Sequence, residues 1–139
     1  WGTISRLIDM GVPSFLLANT INSSVAQRLV RKLCTNCKSE TELKAEDWPY
    51  GLSRELMPQK HHVAVGCDQC HFTGYKGRVA LYEVIPVDEE LAIAIKNNES
   101  HIQEKLEARG IKDLATRALE ILTEGVTSLD EVYALLTGF

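Results

Sequence analysis

Residues 34–37 read CTNC and residues 67–70 read CDQC, and these two CxxC stretches are the strongest signal in the sequence. Each CxxC turn can place two sulfur atoms beside one metal ion, and two such turns supply the four ligands of a tetrahedral site. The spacer of 29 residues, Lys38 to Gly66, is longer than the usual range of roughly 15 to 20 residues. We therefore predict that the spacer is looped out and that one ion is bound by Cys34, Cys37, Cys67 and Cys70.

Structural zinc is the favoured ion, because four protein ligands close the coordination shell and leave no position for a substrate. A single iron ion or an iron–sulfur cluster uses the same ligands, and spacing alone leaves that alternative open. Two disulfides are a third alternative, but nothing else in the sequence indicates an oxidising compartment. His61, His62 and His71 are near enough in sequence to replace a cysteine, although such histidines are more often solvated or hydrogen-bonded to a ligand.

Four thiolates around one divalent ion leave a negative centre, so cations are expected nearby. The candidates flank the two CxxC turns and are Lys32, Lys38, Lys76 and Arg78. Ordinary solvated side chains are a nearly equal alternative for each of them. Because structural metal binding is coupled to folding, we expect this part of the chain to depend on its metal.

Composition limits the class of protein. The chain has 139 residues, 45% hydrophobic and 24% charged, with a formal net charge of −4, which fits one ordinary domain or two small ones. The acidic balance gives no electrostatic reason to expect a nucleic-acid partner. No apolar run reaches the roughly 18 to 20 residues of a membrane span, and no signal peptide is evident, so we expect a cytoplasmic protein. Because the sequence starts at Trp1 rather than Met, we expect it to be a piece of a longer protein.

Two segments beside the cysteines are predicted to be strands. Arg78–Ile85, reading RVALYEVI, is rich in β-branched and aromatic residues and is followed by Pro86. A strand needs a partner for its backbone groups, and the metal would hold Cys34 close to Cys70. Ser24–Leu33 leads into the first turn and alternates as a strand does, although its apolar residues also fit a helix. Topology favours two antiparallel strands whose long connection has the cysteines at its tip.

The N-terminal residues predict two short helices. The first is amphipathic and spans Thr3–Met10, with Thr3 as its N-cap and Gly11 as its stop. Pro13 marks the start of the second, which is expected to end between Asn19 and Asn22.

Four more helices are predicted in the last third of the chain. Asp88 caps Glu89–Lys96, and Ser100 with Gln103 forms a capping box for a helix that stops at Gly110.

The other two predicted helices complete the C-terminal part. One spans Leu114–Glu124, and Ser128 with Glu131 forms a second capping box at the start of the other. Ten apolar residues are expected to face the core of one small bundle. They are Leu91, Ile95, Ile102, Leu106, Leu114, Leu119, Leu122, Leu129, Val132 and Leu136.

No catalytic or cofactor-binding residue is predicted beyond the metal ligands. His101 and Glu104 share one helix face and could form an acid–base pair, but a wet surface is the usual place for such residues.

Four longer stretches carry a resemblance to a known family, and together they extend over nearly the whole chain. They are RLIDMGVPSFLLA (Arg6–Ala18), AQRLVRKLCTNC (Ala26–Cys37), GYKGRVALYEV (Gly74–Val84) and the closing GIKDL to EGVTSLDEV (Gly110–Val132). The sequence resembles the C-terminal region of the ATPases of type II secretion and type IV pilus extension, the GspE/PilB-like motors. The related pilus-retraction motors have similar strands but lack the metal insert, so the four cysteines point to the export or extension branch.

The resemblance implies an α+β fold with three parts. Residues 1–33 would be the end of a RecA-like ATPase core. Residues 34–85 would be a β-hairpin with the tetracysteine zinc insert and its return strand, and residues 86–139 a helical C-terminal lobe. The sequence contains no GxxxxGK[ST] phosphate loop, so we expect ATP and Mg²⁺ to bind only in the parent protein and the chain alone to be inactive.

The resemblance further implies a cytoplasmic homohexamer at the inner membrane that acts on a membrane platform protein and binds no nucleic acid. Arg28 and Arg31 of the QRLVR segment could reach a neighbouring subunit or a nucleotide phosphate. A structural ion pair is the favoured alternative. Two other classes remain open from the residues alone: a free-standing zinc-ribbon interaction module and an iron redox protein.

Overall fold

A computed structural model describes residues 1–138, which form six α-helices and two two-stranded sheets. The helices are α1 (Gly2–Asp9), α2 (Ser14–Thr20), α3 (Glu89–Lys96), α4 (Gln103–Ala108), α5 (Leu114–Thr123) and α6 (Leu129–Leu136). The strands are β1 (Ser23–Leu33), β2 (Ser39–Glu42), β3 (Lys60–Val63) and β4 (Tyr75–Pro86). Among these residues, no helix has the length and apolar character that a membrane crossing requires.

The chain divides into two compact units. The first unit consists of Trp1–Ala26 and Glu83–Lys112, and the second of Gln27–Tyr82 and the residues from Asp113 onward. Helices and small sheets together agree with the predicted mixed fold. The predicted three-part division and the RecA-like origin of residues 1–33 stay predictions.

Strands β1 and β4 pair with each other, as predicted. The Val87 N–H donates to the Asn22 carbonyl over 2.9 Å, and the Cys34 N–H donates to the Gly74 carbonyl over 2.9 Å. Because the start of one segment meets the end of the other in both bonds, the pair is antiparallel. The chain between Cys34 and Gly74 therefore leaves and re-enters the ribbon at the same end.

The extended form of β1 resolves the ambiguous period of its sequence. Val25 and Leu29 are 58% and 60% exposed, whereas Val30 and Leu33 are buried. A helix would have placed the residues at 25, 29 and 33 on one buried stripe. The strand prediction is confirmed, and its pairing with β4 supplies the hydrogen bonds that an isolated extended segment would lack.

A second antiparallel sheet lies inside the spacer and was not expected from the sequence. It pairs β2 with β3 in a register that runs from Ser39 opposite Val63 to Glu42 opposite Lys60. Between these strands, Trp48 is only 6% exposed, and its Nε1–H donates to the Ser53 carbonyl over 3.2 Å. The spacer is thus a folded excursion anchored by a buried indole.

Apolar side chains of the helices, of the end of β4 and of the residue before α4 fill two clusters in the first unit. One is centred on Ile85, Leu91, Ala94, Ile102 and Leu106, and the other on Ile4, Leu17 and Ile95. The Asp88 carboxylate caps α3 by accepting from the Leu91 N–H over 2.9 Å, as predicted.

Two predicted caps in the first unit are wrong. Helix α1 is capped by Trp1 rather than Thr3, and Thr3 lies within the helix. The capping box of Ser100 and Gln103 does not form, because α4 begins at Gln103 itself. The Gln103 amide donates forward to Glu107 over 3.2 Å, the i to i+4 pairing of a residue already inside a helix.

The second unit has one larger cluster drawn from both its strands and its helices. Its buried members are Val30, Leu43, Trp48, Leu81, Ala118, Leu122, Leu129, Val132 and Leu136. The prediction that the four C-terminal helices share one bundle core is therefore wrong. The buried residues of α3 and α4 belong to the clusters of the first unit, and those of α5 and α6 pack with the strands of the second.

Candidate metal centre

The four predicted ligand residues are brought together. All four sulfur atoms lie within 4.8 Å of one another. Individual separations are 3.9 Å between Cys34 and Cys67, 3.8 Å between Cys37 and Cys70, and 3.8 Å between Cys67 and Cys70. A tetrahedral ion with metal–sulfur bonds of about 2.3 Å requires sulfur–sulfur edges of about 3.8 Å. The cysteines are positioned to bind one metal ion.

The same distances decide between two of the alternatives left open by the sequence. The four cysteines are free, and their separations are far above the roughly 2.05 Å of a disulfide. The disulfide alternative is therefore wrong for this structure. Iron and zinc form bonds to sulfur of similar length, so the distances alone do not identify the ion.

Short hydrogen-bonded turns place each pair of sulfurs. In the first turn, the Cys37 and Lys38 N–H groups both donate to the Cys34 carbonyl, over 3.2 and 2.9 Å. In the second, residues Asp68–Cys70 form a 3-10 turn, in which the Cys70 N–H donates to the Cys67 carbonyl over 3.1 Å. β1 ends at the first turn and β4 begins just after the second, so the ribbon fixes where the two turns meet.

Two glycines allow the second turn to close. Gly66 has φ +111°, and a Cβ there would lie 2.8 Å from the Phe72 carbonyl oxygen. Gly74 has φ +76°, and a Cβ there would lie 2.5 Å from the Ala64 Cβ. Both positions combine a left-handed backbone with a close approach, which only glycine accommodates without strain.

Hydrogen-bond donors are aimed at the sulfurs, as a thiolate–metal site requires. The Gly66 N–H donates to Cys37 over 3.3 Å. Cys70 accepts from the Cys67 and Gly74 N–H groups over 3.2 and 3.3 Å. The side-chain amide of Asn36 donates to Cys67 over 3.3 Å. These donors partly offset the negative charge of thiolates, so the chemistry of the site fits a divalent metal.

The surroundings shift the cysteine pKa values in different directions. Burial raises the pKa of the Cys37 thiol to about 11. The Asn36 amide holds the pKa of the Cys67 thiol below its ordinary value. Burial also raises the pKa of Cys70, but the N–H groups of Cys67 and Gly74 outweigh it and lower the pKa to about 6. Thiolates are the form that binds a metal, and the donors favour that form most strongly at Cys70.

None of the three nearby histidines belongs to the metal-binding group that the described residues form. The His62 ring instead lies against Gly125, where a Cβ would come within 2.4 Å of its Nδ1. Of the four flanking cations, only Lys38 is half-buried. Its ammonium group donates to the Gly125 carbonyl over 2.7 Å at the end of α5, where a helix favours a positive charge.

Arg31 forms the structural ion pair that the sequence favoured. Its Nε–H donates to one Glu131 carboxylate oxygen over 2.9 Å, and its backbone N–H donates to the other over 2.8 Å. The guanidinium carbon lies 4.1 Å from the centre of the Tyr75 ring. Arg28 has no such partner among residues 1–138 and donates to the adjacent Gln27 carbonyl over 2.8 Å.

This ion pair explains why the second predicted capping box is wrong. Ser128 is the N-cap of α6, as predicted, but its hydroxyl makes no cap bond and instead pairs with the Tyr75 hydroxyl over 2.7 Å. The Glu131 carboxylate is occupied by Arg31. Both side chains of the motif are used to attach the helix to the strands rather than to cap it.

The loop between α5 and α6 binds to residues beside the cysteine turns. The sequence did not predict these contacts. The Leu33 N–H donates to the Val126 carbonyl over 2.8 Å, and the Thr127 hydroxyl donates to the Arg31 carbonyl over 2.7 Å. Together with the Lys38 and Tyr75 bonds, these contacts fasten the loop to chain on both sides of the cysteine turns. They join residues 53 to 96 positions apart, and no local pattern signals such pairs.

The chain is similar to known proteins over nearly its whole length. A family model described as "Type II/IV secretion system protein" matches residues 1–134. The chain is 42% identical over 138 residues to the type IV pilus assembly ATPase PilB of Pseudomonas aeruginosa, covering 94% of the chain and 24% of that protein. It is 38% identical over 132 residues to the putative type II secretion system protein E of Escherichia coli K12, covering 94% of the chain and 27% of that protein.

A third relative has a similar match. The type II secretion system ATPase E of Vibrio cholerae is 34% identical over 137 residues, which cover 94% of the chain and 26% of that protein. The chain thus spans about a quarter of the length of the curated relatives it matches.

Proposed function

Because the chain belongs to the type II/IV secretion system protein family, we propose that it is the C-terminal region of an ATPase that powers type II secretion or type IV pilus assembly. Membership confirms the resemblance drawn from the sequence. In this proposal the tetracysteine centre holds a structural zinc ion through Cys34, Cys37, Cys67 and Cys70. The observation that carries it is the meeting of four sulfurs, at tetrahedral spacing, in a chain whose relatives are named as secretion and pilus ATPases.

A bound zinc ion would supply structural closure rather than chemistry, because its four sulfur ligands leave no open position. The residues around it then have separate tasks. Gly66 and Gly74 let the second turn close, and Asn36 donates to a ligand sulfur. Arg31 binds Glu131 of α6, and Lys38 binds the loop before that helix. A change in the position of the metal turns would thereby reach α6, which supports a role in relaying motion or docking a partner.

The other parts of the proposal concern the longer protein. Nucleotide and Mg²⁺ would bind outside these residues, since the sequence lacks the phosphate loop. Residues 1–33 would end the RecA-like core, residues 34–85 would form the metal lobe, and residues 86–139 the helical lobe. We propose a homohexamer that acts on an inner-membrane platform protein from the cytoplasmic side, in line with the family.

The direct test uses the full-length protein in its own cell. We expect Cys67→Ser to abolish pilus assembly or protein export and to lower ATP hydrolysis by the purified full-length protein. Asp68→Asn is the matched control, because Asp68 is exposed between the same two cysteines, and it should keep both activities. The chain of 139 residues alone should hydrolyse no ATP. Normal assembly and export in Cys67→Ser would refute the role proposed for the centre.

Two further measurements separate the alternatives left by the sequence. Metal analysis of the purified chain should give about one zinc per chain, whereas a visible absorption band would indicate iron. Binding to DNA or RNA with a steep salt dependence would favour a free-standing zinc ribbon instead.

A further inference from the structure

We propose that Asn36 is a positioning residue for the metal: its side-chain amide donates to the Cys67 sulfur and strengthens metal binding by offsetting the charge of that ligand. The proposal rests on the proposed function only in requiring that the four cysteines bind a divalent metal. Nothing in the CxxC spacing assigns a role to the residue between the cysteines, because the spacing constrains only the ligands themselves.

The bond joins the two CxxC turns to each other. Asn36 belongs to the first turn and Cys67 to the second, and the donor nitrogen lies 3.3 Å from the sulfur. The other donors to the sulfurs are backbone N–H groups, which side-chain substitutions leave in place. Within residues 1–138, Asn36 is the one side chain other than the cysteines themselves that hydrogen-bonds to a ligand sulfur.

The location of the bond makes it sensitive to substitution. Asn36 is exposed and Cys67 is half-buried, whereas Cys34 and Cys70 are buried. Cys67, like the equally half-buried Cys37, is therefore on the more accessible side of the centre, where water or a competing ligand would approach. An N–H donor there withdraws electron density from the thiolate and occupies one of its lone pairs, so it both orients the ligand and shields it.

The negative charge of the centre explains why the hydrogen bond should strengthen metal binding. Four thiolates exceed the charge of one divalent ion, so each donor to sulfur stabilises the metal-bound form. Cys70 receives two backbone donors and Cys37 receives one. Cys67 also accepts from backbone N–H groups of its own turn, those of Gln69 and Cys70. Asn36 is the donor that reaches it from the other turn, so loss of the amide leaves more of the excess charge on that sulfur.

The experiment measures metal binding by the purified chain, with Co²⁺ as an optical probe and Zn²⁺ in competition against a chelator. The variants are Asn36→Ala, which removes the donor, and Asn36→Asp, which replaces it with a negative group of similar size. Thr35→Ala is the control, because Thr35 is an exposed neighbour in the same turn. Far-UV circular dichroism of the loaded proteins checks that each variant folds.

We expect Asn36→Ala to weaken Co²⁺ and Zn²⁺ binding by roughly 10-fold and Asn36→Asp to weaken it further. Thr35→Ala should change it by less than about 2-fold. The sulfur-to-cobalt charge-transfer band should move to longer wavelength in both Asn36 variants, because a thiolate without its donor gives up an electron more readily. A residue that only supported the fold would leave that band in place.

Unchanged affinity and an unchanged band in Asn36→Ala would overturn the proposal while leaving the proposed zinc centre intact. Equal weakening in Thr35→Ala would overturn it as well, since the effect would then belong to the turn and not to the amide. A wild-type chain that binds neither Co²⁺ nor Zn²⁺ would refute the proposed centre itself, and the role of Asn36 with it.

Discussion

The two compact units are stabilised in different ways. In the first unit, helices pack apolar side chains against each other, and Leu91, Ala94 and Ile95 are at most 1% exposed. In the second unit, the chain around the cysteines has little apolar packing of its own: β2 is exposed along its whole length, and Val65 and Phe72 are 62% and 73% exposed. The only group of side chains within residues 1–138 that is positioned to bind a metal ion lies there. The second unit has an apolar cluster of its own around Leu122 and Val132, but at the two cysteine turns the four sulfurs take the place of apolar packing.

Metal removal is expected to have the largest effect. It should destabilise part of the second unit and leave the first unit folded. Structural zinc contributes on the order of 10 kcal/mol to folding, so chelation should free the amides of the two cysteine turns, residues 34–38 and 66–74, for hydrogen exchange. The amides of α3, in the first unit, should keep their protection. Hydrogen exchange followed by mass spectrometry reads both regions in one sample. Equal loss of protection in both would show that the comparison between the units is wrong.

Leu91→Ala tests whether apolar packing stabilises the first unit. Leu91 has no exposed surface, and removing such a side chain costs about 2 to 5 kcal/mol through lost burial and the cavity that remains. Urea unfolding should detect this loss, while the amount of metal bound per chain stays the same. A variant that loses its metal would indicate that the first unit also supports the centre.

Gly74→Ala and Gly77→Ala form a matched pair. Both glycines have similar positive φ, +76° and +79°, but a Cβ at Gly77 meets nothing within 4 Å. Gly77→Ala should therefore cost about 1 kcal/mol from backbone strain alone. Gly74→Ala should cost about 1 to 3 kcal/mol more through its clash with Ala64 and should weaken Zn²⁺ binding in a competition assay. Equal losses in both variants would mean that the close approach to Ala64 is unimportant.

Asp88→Asn is expected to have the smallest effect and concerns pH. The Leu91 N–H and the Arg109 guanidinium hold the pKa of Asp88 below its ordinary value. A lowered pKa means that the carboxylate stabilises the folded state above the unfolded value of about 3.9, and that this contribution disappears as the pH falls through the lower folded value. Urea midpoints between pH 5 and pH 3 should therefore fall less in Asp88→Asn than in wild type, and an equal fall would contradict the cap.

The sequence predicted most reliably those features that depend on short-range spacing, such as the two CxxC turns. The CxxC spacing is a local constraint, and the four cysteines do meet. The partner of the Ser24–Leu33 segment could be predicted because a metal at Cys34 must return the chain to the same place. The strand pair β2–β3 could not, because Ser39–Glu42 is polar throughout and has no alternation with apolar residues to mark a strand.

Tertiary contacts account for the other failures. Ser128 and Glu131 fit a capping box in the sequence. In the structure the Ser128 side chain hydrogen-bonds to Tyr75 and the Glu131 side chain to Arg31. Apolar periodicity correctly indicated that Leu91 and Leu122 are buried, but periodicity carries no information about which helices share a core. Asn36 gave no signal at all, because its role depends on a sulfur 31 positions away in sequence.

X-ray absorption at the zinc edge of the purified chain measures the ligands of the metal. We expect a single shell of four sulfur atoms at about 2.3 Å, with about one zinc per chain. Nitrogen or oxygen neighbours in place of sulfur, or a chain that carries no zinc, would contradict it.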